Sequence, residues 1–224
     1  MKELFTYFLF FIIFSFLGWL LEVICKLIED QRFINRGFLI GPICPIYGFG
    51  SLLMQLTLNK YLNDPWTLFI MIILTCSILE YSTSFILEKI FHTRWWDYSR
   101  RRFNINGRIC LETMIPFGIF GLVLMYVINP FILKALKLLP YSLLIFLGLI
   151  IFIIFITDCL FSFQAIYSIQ KVSKEVQSKI WLQKDNTEKI TRLVQKRIEK
   201  SSIALNKRLI HAFPHLEFLR RKRK

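Results

Sequence analysis

Apolar runs of about 20 residues, enough at 1.5 Å per residue to cross a hydrocarbon core, dominate the pattern of this chain. Five such runs are present: Leu4–Leu21, Phe38–Leu58, Pro65–Leu87, Thr113–Leu133 and Leu138–Thr157. Glu80 interrupts the third and Asp158 sits at the far edge of the fifth. The second run is the least regular. Its first half, FLIGPICPIYGFG, carries Gly41, Pro42, Pro45, Gly48 and Gly50. Such residues break regular helix and are tolerated at membrane depth only where protein or a water-filled cavity satisfies the freed backbone groups. A broken or re-entrant start is expected there. Beyond Gln164 the period changes: Ile169, Val172, Val176 and Ile180, then Ile190, Leu193, Val194, Ile198, Leu205 and Leu209, recur at spacings of three, four and seven. That is the pattern of two amphipathic helices, with Asp185-Asn186-Thr187-Glu188 as a break and new N-cap and Pro214 as a stop. The expected fold is therefore an all-α polytopic transmembrane bundle of about five spans over residues 1–162, followed by a basic amphipathic helical tail over residues 163–224.

Composition agrees with a lipid environment: 55% of the 224 residues are hydrophobic and 16% aromatic, with a mean hydropathy of +0.51, more apolar than a soluble domain of this size. The first run begins after Lys2 like a signal peptide, but Trp19 and Glu22 stand where a small-residue cleavage site would be, so it reads as a retained span. The net charge of +14 is segregated, since the tail holds sixteen Lys/Arg against five Asp/Glu. Next to apolar spans such a block points to an anionic leaflet rather than nucleic acid. Loop charges set the orientation. With the N-terminus outside, the cytoplasmic face collects twenty-five Lys/Arg, and the outer face keeps Lys2, Lys60, Lys134 and Lys137. A plasma-membrane protein with N-terminus out and C-terminus in is the expectation. The tail then either lies on the leaflet through anionic headgroups or docks a partner, and the basic polar face favours lipid. Cys25, Cys44, Cys76, Cys110 and Cys159 form neither a disulfide framework nor a zinc pattern.

Two stretches resemble each other. RFINRGFLIGPICPIYGFGSLL from Arg32 and RFNINGRICLETMIPFGIFGLVL from Arg102 share a basic-aromatic start, an Asn-Gly-Arg cluster, and a proline and spaced glycines leading into a run. Each follows a span with a Leu-Glu pair, Leu21-Glu22 and Leu79-Glu80, so runs one-two and three-four read as parallel copies.

Chemistry-bearing residues crowd at the cytoplasmic ends of the runs. Glu22, Asn35, Arg36, Tyr47, Glu80, Asn106, Arg108 and Glu112 are the candidate binding residues. A carboxylate at depth costs from about 2.5 kcal/mol, so Glu22 and Glu80 are expected to face the bundle, with Arg36 and Arg108 as their partners. That arrangement suits either a solvated site for a polar solute or proton, or salt bridges locking the copies together. Trp95, Trp96 and Tyr98 beside Arg94 and Arg100–Arg102 fit an interfacial aromatic belt, or a coupling surface. His92 one turn after Glu88 is a weak metal pattern, and neither a metal nor another cofactor is assigned. No nucleophile elbow, P-loop, Rossmann fingerprint or zincin motif occurs, so the chain reads as non-enzymatic and any ATP must be hydrolysed by another chain.

The segments FLGWLLEVICKLIEDQRFINRGFLIGPICPIYGFG, LEYSTSFILEKIFHTRWWDYSRRRFNINGRICLE and RLIHAFPH resemble the CmpB-like family of bacterial type IV ABC-transporter permeases. The resemblance covers most of the chain, and implies a permease subunit for a small solute working with an ATP-binding subunit in trans. The EAA-type loop of importer permeases is missing. A non-transporting accessory or scaffold protein acting through its tail is the alternative, and homo-oligomerisation stays open.

Overall fold

The computed structural model describes residues 1–179, 187–200, 204–213 and 216–218. The helices are α1 (Lys2–Asp30), α2 (Pro45–Thr57), α3 (Pro65–Phe91), α4 (Leu111–Val123), α5 (Asn129–Leu138), α6 (Tyr141–Lys179), α7 (Thr187–Glu199) and α8 (Ala204–Ala212). The described residues also form four two-residue strands: β1 (Thr93–Arg94), β2 (Asn104–Ile105), β3 (Ile109–Cys110) and β4 (Glu217–Phe218). β2 and β3 make an antiparallel hairpin, and β1 pairs antiparallel with β4, Thr93 opposite Phe218 and Arg94 opposite Glu217.

Among the described residues, four helices are long and apolar enough to cross a membrane: Lys2–Ile28, Pro65–Phe91, Leu111–Leu138 and Tyr141–Gln177. With these apolar helices, the chain is a multi-pass membrane protein. The count of spanning helices is four rather than the expected five. The second run is helical only over the 13 residues of α2, about 20 Å, because Gly41, Pro42 and the N1 proline Pro45 keep the preceding residues out of helix. The broken start expected there is present. α2 begins halfway along α1, where the Cys44 amide donates to the Ser15 carbonyl at 2.9 Å, and runs antiparallel to it until Leu52 packs beside Phe10.

Local chemistry sets the other boundaries. Asp64 caps α3 by accepting from the Thr67 hydroxyl and from the amides of Thr67 and Trp66 at 3.2 and 3.1 Å, and these bonds, the hydroxyl's first, hold its carboxyl below the usual carboxylate range. α1 and α3 both end on a left-handed residue, Gln31 (φ 53°) and His92 (φ 50°). The third spanning helix widens into a π turn over Leu124–Ile128 just before Pro130, which has no amide to donate.

The repeat is visible in the packing. A Cβ on Gly48 would run into Ser15 and Phe11 of α1, and one on Gly118 into Ile73 and Phe69 of α3. These partners lie seven and eleven residues before Glu22 and before Glu80 respectively. In both copies, therefore, one glycine lets the second helix approach the first at the same distance from its carboxylate.

The bundle has two chemically different ends. At the N-terminal end, Leu9, Phe10, Leu136 and Leu144 form one apolar cluster, and Met54, Leu58, Leu68, Ile72 and Met125 form another. At the opposite end the tail folds back: Ile190, Val194, Ile198 and Leu209 pack with Ile166, Ile169 and Val176 of α6 and with Phe91 and Trp95. Of the two expected amphipathic helices, the first is continuous with α6 and the second is divided into α7 and α8, and their apolar residues are covered by the chain itself rather than left for a leaflet. α6 continues without a break through Ser162 and Phe163. The break at Asp185-Asn186, the stop at Pro214 and the final basic cluster lie outside the described residues.

Candidate functional site

Glu22 follows the apolar stretch of α1, and the first turn of α2 brings Tyr47 against it, the phenol donating to Glu22 Oε1 at 2.6 Å. Arg36 lies 3.6 Å from Glu22 Oε2. Three expected residues thus meet. Asn35 shapes the loop that carries Arg36: its Oδ1 accepts from Trp19 Nε1 at 2.7 Å and from the Gly37 amide at 3.3 Å, and its Nδ2 donates to the Ile40 carbonyl at 3.1 Å. Asn35 is therefore an organiser of the loop.

The other copy is arranged differently. Glu80 is buried on α3, at 8% exposure, and among the described residues accepts only a long 3.4 Å bond on Oε1 from the Tyr98 phenol. Burial pushes that phenol well above its ordinary range, and Glu80 adds to the effect, so Tyr98 stays a donor. Glu80 and Glu22 lie within electrostatic range of one another, as do Tyr47 and Tyr98. The two carboxylates consequently face one region between α1, the start of α2, α3 and the loop holding Tyr98.

The expected Glu80–Arg108 pairing is not made. Arg108 instead reaches Glu88 at 3.1 Å and Ser84 Oγ at 3.1 Å, with its guanidinium over the rings of Tyr81 and Phe85. Glu88 stands two turns beyond Glu80 and also holds Arg94 at 3.0 Å, which in turn reaches Asp97 at 3.2 Å. Asn106, in a left-handed conformation (φ 53°), donates to the Tyr81 phenol at 2.9 Å. Glu112 pairs with Arg101 at 2.9 Å in an exposed ion pair. Trp95 is 7% exposed inside the tail cluster, so it belongs to the packed core and not to an interfacial belt; Phe103 and Ile105 are the exposed apolar residues of this segment.

Two organisers, Asp158 and Arg208, are not among the candidate binding residues. Asp158 of α6 accepts from the amides of Ile40 and Gly41, both at 2.8 Å, and from Ser162 Oγ at 3.1 Å. Arg208 of α8 donates to the carbonyls of Gly37 and Leu39. Burial pulls the Arg208 guanidinium below its ordinary range, with Asp158 opposing. The polar loop is thus held from both sides by residues more than a hundred positions away. A run of unpaired backbone donors in FLIGPICP was the available clue that a distant acceptor was needed.

Among the described residues no three His, Cys, Asp or Glu side chains converge as a metal site. A cavity of about 520 Å³ opens at the N-terminal end, lined by Gln55, Asn59, Lys134 and Lys137 among others, across the bundle from the carboxylates.

Over residues 9–163 the chain matches the family model described as Putative ABC-transporter type IV. No curated protein and no solved structure matches it.

Proposed function

The chain belongs to this ABC-transporter family, and from that premise we propose that it is a permease subunit that moves a small polar solute while a partner subunit hydrolyses ATP. The observation that carries the reading is the convergence of Glu22, Tyr47, Arg36, Glu80 and Tyr98 in one region of the bundle. Charged and phenolic groups at membrane depth are expensive and are characteristic of solute and proton paths. The chain itself makes and breaks no covalent bond in this scheme. The Lys/Arg count along the sequence, twenty-five against four, supports an orientation with the N-terminus outside, the loop before α2 and α2 itself together returning the chain toward the N-terminal end, and this turns α7 and α8 toward the cytoplasmic leaflet and a cytoplasmic ATPase.

One observation favours a second reading, an accessory or scaffold protein. The tail is clasped to the bundle through an apolar core, leaving a structured basic surface. Affinity purification in mild detergent separates the two. Stoichiometric recovery of an ATP-hydrolysing subunit supports the permease. Recovery of the chain alone with bound anionic lipid overturns it in favour of the scaffold.

A further inference from the structure

Glu80 presents a problem that the rest of the polar region does not. Glu22 is compensated by Arg36 and Tyr47, and Glu88 by Arg94 and Arg108. Among the described residues no cation pairs with Glu80; its Oε1 accepts one long bond, and its Oε2, with less than 1 Å² exposed, has no hydrogen-bond partner there. The groups in range of it do not help. Glu22 of α1 is of like charge, the Tyr98 phenol is neutral, and Cys76 lies one turn back on its own helix; Tyr47 of α2 is committed to Glu22, and Cys110 at the head of α4 interacts with Tyr98. An ionised carboxylate left this way in an apolar bundle is far costlier than a neutral carboxyl whose O–H lacks an acceptor. An oxygen with so little accessible surface admits no ion or solute of water's size beside it. A proton needs no such room.

We propose that Glu80 is a proton-binding site, carrying a proton on Oε2 at neutral pH while Glu22 remains the charged partner of Arg36. Binding forms one O–H bond on the carboxylate and changes the charge of the Glu22–Glu80 region by one, removing the repulsion between the two copies. The inference goes beyond the permease reading and does not depend on it, since it concerns a proton and no solute.

The test is infrared spectroscopy of the full-length protein in lipid nanodiscs, read at the C=O stretch of protonated carboxyls, together with thermal melting. At pH 7 the wild type and Glu22→Gln show a band that Glu80→Gln lacks, and Tyr98→Phe keeps the band at a shifted frequency. Raising the pH bleaches the wild-type band and lowers its melting temperature, whereas Glu80→Gln melts like the wild type at pH 7 and does not respond. Identical wild-type and Glu80→Gln spectra at pH 7 would overturn the proposal. So would a Glu80→Gln protein that fails to fold or melts well below the wild type, because the negative charge would then be the form the fold requires. Loss of the band on adding Na⁺ or K⁺ at fixed pH would reassign the site to a metal cation.

Discussion

Arg108 and Glu112 are both candidate binding residues in the sequence, and their surroundings give them opposite weights. Arg108 is buried, ion-paired to Glu88, bonded to Ser84 and stacked over two rings. Removing Arg108 takes one of the two cations of Glu88 and leaves Ser84 without its donor, a loss on the order of 1–3 kcal/mol, so Arg108→Ala should lower the melting temperature and yield of the purified protein. Arg108→Lys should recover only part of that, since an ammonium cannot reproduce the planar stacked fork. Glu112 and Arg101 are both more than half exposed, and exposed pairs are worth about 0–1 kcal/mol; Glu112→Ala should melt within about a degree or two of the wild type. A Glu112→Ala protein as damaged as Arg108→Ala would contradict this ranking. Asp64 adds a pH term. Its carboxyl is held below its unfolded value by bonds from the first turn of α3, so its contribution is present above the unfolded pKa and is lost as pH falls through the lower folded one. Melting curves below about pH 4 should therefore fall less steeply in Asp64→Asn, which caps without titrating, than in the wild type.

At the scale of elements, close approach of paired helices is the repeated device. A side chain at Gly48 would collide with α1 backbone and Ser15, whereas at Gly50 the nearest atom, on Leu79, is an ordinary 3.4 Å away. Gly48→Ala should cost on the order of 1–3 kcal/mol as overpacking, and Gly50→Ala should leave the melting temperature nearly unchanged; equal tolerance at both positions would remove the basis for calling the contact tight. The tail is the other element whose role depends on packing. Val194 is fully buried between α7 and its neighbours, so a charge placed there cannot remain in the cluster. Val194→Asp should release α7 and α8 from the bundle, read as rapid tryptic cutting at their Lys and Arg while the spanning helices stay protected. The sequence showed that the tail was amphipathic but not what covered its apolar face, because periodicity defines a stripe and says nothing of the surface that meets it.

Among the described residues, Lys2, Lys60, Lys134 and Lys137 gather at one end, and the arginine-rich loop segments with α7 and α8 at the other. In whole cells an impermeant thiol reagent should modify a cysteine introduced at Lys60 or Lys134 and spare one at Arg101; the reverse pattern would invert the orientation. The long apolar helices were legible in the sequence because a bilayer offers backbone groups no water, so any crossing must appear as a long apolar helical run. The weakness of the second crossing was legible for the same reason, in Gly41, Pro42 and Pro45. The membership of the polar region was partly legible: Glu22 with Arg36 could be proposed from position, since each lies at a run's end. What the sequence left open was decided by tertiary structure. Arg108 chose Glu88 over Glu80, Asp158 and Arg208 closed on a loop more than a hundred residues away, and Trp95 went into the core. Hydrophobic length is a property of a local stretch and is therefore written along the chain, whereas which charge meets which depends on angstrom-scale distances that exist only once the helices have packed.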